Sequence, residues 1–173
     1  ADAMQLPGSA HVVSEAELEK FAYTDINRMV RQVPGVYLQE EDGFGLRPNI
    51  GIRGSGSERS DKITLLEDGV LMAPAPYSAP AAYYFPTAGR MHRIEILKGA
   101  SILRQGPATV GGVVNLISTP IPSQTSAEIN LETGDFSTHN LNASYGTRSA
   151  HWGMLLETQQ LQSDGFKKFF FFF

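Results

Sequence analysis

The spacing of apolar residues changes twice along this chain. From residue 14 to 33 they recur at helical intervals, from 49 to 117 they form short runs cut by glycine, and beyond 122 they alternate with polar residues. The first region begins with Ser14-Glu-Ala-Glu17, a capping box in which Glu17 reaches back to Ser14, and predicts a helix over about 15–21. Thr24 is the expected cap of a second helix. Its Ile26, Met29, Val30 and Val33 fall at i, i+3, i+4 and i+7, and Pro34-Gly35 ends it. Short strands are expected at 11–13 and 36–38.

The middle region is organised around residues 49–70, NIGIRGSGSERSDKITLLEDGV. An alternating strand (Ile50, Ile52) breaks at Gly54 and Gly56, and a polar loop carrying Arg59, Asp61 and Lys62 follows. Residues 63–67 form a second strand. Asp68-Gly69 then turns the chain into Val70, because two positive-φ positions between apolar runs make a tight hairpin. Three prolines at 74, 76 and 80 forbid a helix and lead to Tyr83-Tyr84-Phe85. Residues 93–98 form a strand ended by Gly99, and one helical turn is expected over 100–105. Gly111-Gly112 permits a bend or a close approach, and Val113–Ile117 reads as a buried strand. Nine of the 17 glycines lie between Gly51 and Gly112, which predicts a loop-rich α+β domain with a small sheet and short helices.

After Pro122 the period becomes two. Ile129 and Leu131, then Leu141, Ala143 and Tyr145, then Trp152, Met154 and Leu156 mark three antiparallel strands, with 146–150 as the second link. One face of each is apolar and the other polar. A soluble sheet would lay the apolar face on a core; a membrane barrel would lay it on lipid. Three strands cannot close a barrel, so the barrel reading makes the chain a fragment.

A net charge of −4 gives no basic face for nucleic acid, so none is expected as a partner. The absence of cysteine excludes disulfides and thiol chemistry. Gly106-Pro-Ala-Thr-Val-Gly111 has the glycine spacing of a phosphate loop, but Gly112-Val113 stands where Lys and Ser/Thr are required. The four histidines, at 11, 92, 139 and 151, are scattered, and no carboxylate pair has acid–base spacing. No enzyme, no metal site and no cofactor is expected. The terminal run of five phenylalanines, 169–173, has no structural logic and is set aside as anomalous.

Several pieces occur together in a recognisable order: VVSEAELEKF, DINRMVRQVPGV, NIGIRG, LLEDGV, RIEILKG and GPATVGGVVNLIS. In this order they resemble the plug domain of TonB-dependent outer-membrane receptors, and the segments EDGFGLRPNIGIRG and APAPYSAPAAYYFP are most similar to the ferric dicitrate receptor branch. The resemblance implies four segments: a lead-in over 1–9, the plug over 10–122, the first barrel strands over 123–165 and an anomalous tail over 166–173.

It further implies a transporter in the outer membrane of a Gram-negative bacterium, with the plug inside the barrel facing the periplasm. The transported ligand would be a ferric chelate, a siderophore or ferric citrate, so that iron comes as cargo and not on protein ligands. Arg47, Arg53, Arg59 and Lys62, with Tyr77, Tyr83 and Tyr84, would meet an anionic chelate at the plug apices. Gly51, Arg53, Gly54, Asp68, Gly69, Lys98, Gly99, Gly106, Gly111, Gly112 and Asn115 would form the structural and gating motif. The implied partners are outer-membrane lipid and TonB, energised by ExbB and ExbD. TonB would grip an N-terminal segment that nothing in residues 1–11 resembles. A stand-alone soluble binding module is the alternative.

Overall fold

The computed structural model describes residues 9–21, 25–39, 48–73, 86, 88–99 and 110–165. The chain divides into two compact units, Ala1–Thr119 and Pro120–Phe173.

The first unit holds a five-stranded mixed sheet. Its strands are β1 (Ser9–Val13), β4 (Ile63–Glu67), β5 (Val70–Ala73), β6 (Met91–Lys98) and β7 (Gly112–Ser118), in the order β1-β6-β7-β4-β5. All neighbours are antiparallel except β4 and β7, which run parallel with Leu65 opposite Val114. A separate antiparallel pair joins β2 (Val36–Gln39) to β3 (Asn49–Ile52).

Two short helices pack on this framework. Helix α1 (Glu15–Phe21) begins with half of the expected box: Glu17 Oε2 accepts from the Ser14 N–H at 2.8 Å, but the Ser14 hydroxyl donates to the same oxygen at 2.8 Å, and the Glu17 N–H bonds the Ser14 carbonyl at 3.0 Å. Helix α2 (Ile26–Val30) is capped by Asp25 and not by Thr24. An Asp25 carboxyl oxygen accepts the Asn27 N–H at 2.8 Å, which satisfies one of the free donors of the first turn.

Ile26, Met29, Val30 and Val33 are buried, together with Ile50, Ile52, Leu65, Ile94, Ile96, Val114 and Leu116. That cluster fills one face of the large sheet. A smaller one of Leu66, Leu97 and Val113, with Ala10 and Val12 against it, fills the other. The alternation of β6 and β7 thus supplies both faces, which is why Val113–Leu116 reads as a continuous apolar run broken only by Asn115.

The second unit is an antiparallel meander of β8 (Ser126–Gly134), β9 (Thr138–Arg148) and β10 (Gly153–Gln162). Strand β9 is longer than expected. Gly146, read as part of a link, stays in the ladder because its missing Cβ leaves room for Pro122; a Cβ there would lie 2.4 Å from the proline Cγ. Trp152, expected in the third strand, sits in the turn, where its carbonyl accepts the Ser149 N–H at 2.7 Å.

Candidate functional site

Strand β3 runs into the polar loop 53–62, which is seated on glycines. A Cβ on Gly51 would lie 2.2 Å from the Gly56 carbonyl oxygen. One on Gly111 would lie 2.6 Å from Ser55 Oγ, and one on Gly112 would lie 2.7 Å from Ile52 Cδ1. The Gly111 N–H donates to the Lys62 carbonyl at 2.8 Å. The loop therefore folds back over β3 and is closed at its far end by the start of β7.

Arg53, Arg59 and Lys62 are exposed on this loop. Lys62 pairs with neighbouring Asp61 at 3.1 Å, with both side chains about half exposed, so the pair contributes roughly 0–1 kcal/mol. Arg53 begins a different arrangement. Its N–H donates to the Gly35 carbonyl at 2.9 Å, while the Lys98 ammonium donates to the Pro34 carbonyl. The turn after α2 thus gathers the ends of β3 and β6.

Lys98 is 7% exposed, and burial, followed by the nearby Arg53 charge, holds its pKa below the ordinary lysine range. Neither cation has an ion-pair partner among the described residues. Two cations gathered at one junction repel, and a buried one loses hydration, so the junction favours an anion.

Asp68 and Gly69 adopt φ of 50° and 79°, as a two-residue primed turn requires. Asn115 ties this turn to the sheet: its Oδ1 accepts the Gly69 N–H at 3.0 Å, and its Nδ2 donates to Glu95 at 3.0 Å. Arg93 completes the line at 3.0 Å from the other Glu95 oxygen. Asp68, Gly69 and Asn115 are thus hairpin-locking residues. Gly99 closes β6 at a φ of 116°, and Gly54 holds 75°.

The second unit has its polarity reversed. In register, Ala127, Tyr145 and Leu156 share a row on one face, and Leu131 and Leu141 share another. These apolar side chains are exposed: Ile129 by 70%, Leu131 by 75% and Leu156 by 59%. The opposite face carries Glu132, Asn140, Asn142, Ser144 and Gln159 and is the less exposed of the two, with Asn140 at 4%. The side-chain oxygens of Asn140, Asn142 and Gln159 are buried without a hydrogen-bond donor among the described residues.

The model of the TonB-dependent receptor plug domain family matches residues 2–113. The chain belongs to this family. Solved structures agree with the plug fold. The unliganded ferric citrate transporter FecA has a TM-score of 0.70 at 27% identity, over 89% of this chain and 25% of that one. The alcaligin outer-membrane receptor FauA from Bordetella pertussis has a TM-score of 0.72 at 19% identity, over 92% of this chain and 27% of that one. The pyoverdine receptor FpvA from Pseudomonas aeruginosa has a TM-score of 0.67 at 21% identity, over 83% of this chain and 20% of that one. The chain thus spans about a quarter of the length of FecA and FauA.

In the plug, Arg53, Arg59 and Lys62 share one loop, and Lys98 joins Arg53 through the 34–35 turn. Arg47, Tyr77, Tyr83, Tyr84 and Gly106 lie outside the described residues, as do the expected helical turn at 100–105 and the anomalous tail. Sequence reasoning missed Asn49 and Ser60, which hold the loop from beneath. Ser60 Oγ donates to the Pro48 carbonyl at 2.7 Å and accepts the Ile50 N–H at 2.8 Å; Asn49 Oδ1 accepts the Arg59 N–H at 2.7 Å. Neither residue type carries a signal for such a role. No described helix is long and apolar enough to cross a membrane, which leaves crossing by strands open. Among the described residues no group of three or more His, Asp or Glu could hold a metal.

Proposed function

We propose that this chain is the plug and the opening barrel strands of an outer-membrane TonB-dependent receptor that imports an anionic ferric chelate. The observation that carries this reading is the sheet of β8, β9 and β10, whose mainly apolar face is exposed while its more polar face is the less exposed, as suits a lipid-facing barrel wall. Irregular, glycine-seated backbone such as the 53–62 loop is tolerated at membrane depth only where protein shields it, which suits a plug inside a barrel.

Arg53 and Arg59, with Arg47, Lys62, Tyr77, Tyr83 and Tyr84, are the proposed ligand contacts. A chelate with free carboxylates would meet guanidinium groups that bind them in bidentate fashion. The plug, with Arg53 and Lys98 at the junction beside the 34–35 turn, would be the element that moves. TonB, driven by ExbB and ExbD, would pull on a segment N-terminal to β1. FecA, whose structure bears the name ferric citrate transporter, makes ferric citrate the first ligand to test, ahead of other siderophores.

The test is radioiron uptake from ferric citrate by iron-limited cells carrying the full-length receptor. Arg53→Ala and Arg59→Ala are each expected to lower uptake about tenfold, the effect of losing one charge-assisted hydrogen bond. Unchanged uptake in both variants would remove these arginines from the site.

A further inference from the structure

The turn that carries Arg59 is built against its backbone preference. Arg53, Arg59 and Ser60 hold φ of 57°, 49° and 55°. Such left-handed angles are costly for any residue with a Cβ, and glycine adopts them freely. Two of these residues are consecutive, in a loop that already uses glycine at 54 and 56. Strain of this kind persists only where the surroundings over-determine it.

Two buried polar side chains do so here. Ser60 is 1% exposed, and its hydroxyl bridges the Pro48 carbonyl and the Ile50 N–H at 2.7 and 2.8 Å. Asn49 is 3% exposed; its Oδ1 takes the Arg59 N–H at 2.7 Å, and its Nδ2 donates to the Gln39 carbonyl at 3.3 Å. Both strained residues are thus fastened to the strand beneath them. The Gly51–Gly56 approach keeps the loop low enough for these short side chains to reach.

We infer that Ser60 and Asn49 are positioning residues for the Arg59 guanidinium, holding its backbone in a left-handed conformation so that the cation is preorganised for the ligand. The inference rests on the anionic-chelate reading and adds where the affinity comes from. The backbone strain is set at folding, so ordering the loop that carries Arg59 costs nothing further when ligand binds. A looser loop with the same charges would bind more weakly.

The experiment compares four full-length proteins in detergent: wild type, Ser60→Ala, Ser60→Gly and Arg59→Gly. Each is titrated with ferric citrate and unfolded by calorimetry. Ser60→Ala keeps every charge yet should weaken binding about tenfold, because the strained backbone loses its fastening. Ser60→Gly loses the same hydroxyl but accepts positive φ, and should stay within about threefold of wild type. Arg59→Gly should bind more weakly and unfold at a higher temperature, since strain is relieved while the Asn49 bond to the backbone N–H is kept. A merely structural role would move binding and stability together.

Wild-type affinity in Ser60→Ala would overturn the inference. So would equal weakness of Ser60→Gly and Ser60→Ala, or a lower unfolding temperature for Arg59→Gly. If the wild type does not bind ferric citrate, the choice of that chelate fails. The order of unfolding temperatures then decides the strained-loop inference by itself: Arg59→Gly above wild type keeps it, and the reverse overturns it.

Discussion

The Asp68 carboxylate accepts two hydrogen bonds from Ser118, from the N–H at 3.0 Å and from the hydroxyl at 2.6 Å. In the other direction, the Asp68 N–H donates to the Leu116 carbonyl at 2.8 Å. The β4–β5 turn is therefore pinned to the last residues of β7, at the exit of the first unit. Asp68→Ala removes both carboxylate bonds and should cost about 1–2 kcal/mol in denaturant unfolding, moderated by the exposure of the site. Asp68→Asn, which tolerates the positive φ and keeps an acceptor, should lose less. Equal losses would mean that the carboxylate pair is not what holds the turn.

Gly51 and Gly54 are both near the arginine loop, and they should fail differently. A Cβ at 51 meets backbone atoms of Gly56 at 2.2 Å, so Gly51→Ala forces the loop off its strand at a cost on the order of 3 kcal/mol. A Cβ at 54 meets nothing within 4 Å, so Gly54→Ala incurs only the positive-φ penalty, about 1–2 kcal/mol. Chemical denaturation ranks the two, and the reverse order would contradict the seating of the loop.

Two groups give pH signatures of different origin. The Ser14 N–H and then the Ser14 hydroxyl hold the Glu17 carboxylate below its usual pKa. The folded value lies below the unfolded one, so this stabilisation is complete above the unfolded pKa and is lost as pH falls through the folded one. Glu17→Gln should flatten that acid limb of stability against pH. Lys98 is lowered as well, by burial and then by Arg53, and for a base this means a penalty at neutral pH. The unfolded chain then holds its proton to higher pH than the folded one, so stability should rise with pH between the folded and unfolded values. Lys98→Met should abolish that rise, and a rise that persists would assign it to another group.

The local elements were legible because their signals are local. Glu17 reaches back to Ser14 and the Asp68-Gly69 turn forms as expected, while the 26/29/30/33 stripe is buried although helix α2 ends at Val30, before the expected stop at Pro34-Gly35. The misplaced cap arose because Thr24 and Asp25 can both cap, and only the Asn27 N–H distance decides between them. The parallel pairing of β4 with β7 joins strands nearly fifty residues apart, and no local pattern announces it. The same holds for the site. Arg53 and Lys98 meet through a turn at 34–35 that neither sequence neighbourhood contains. Arg59 and Ser60 take angles that sequence reasoning assigns to glycine, so their strain could only be seen in the fold.

The reversed sheet allows the most direct test of the receptor reading. The 173 residues contain no cysteine, so a cysteine introduced among them is the single thiol of this segment. Ile129→Cys and Leu156→Cys lie on the exposed apolar face, and Asn142→Cys lies on the opposite one. Each would be spin-labelled in the full-length protein in native outer membranes and probed with oxygen, which partitions into lipid, and with a water-soluble nickel chelate. Labels at 129 and 156 should relax with oxygen and ignore nickel, while the label at 142 should show little access to oxygen. Strong nickel relaxation at 129 and 156 would place that face in water and contradict a barrel wall.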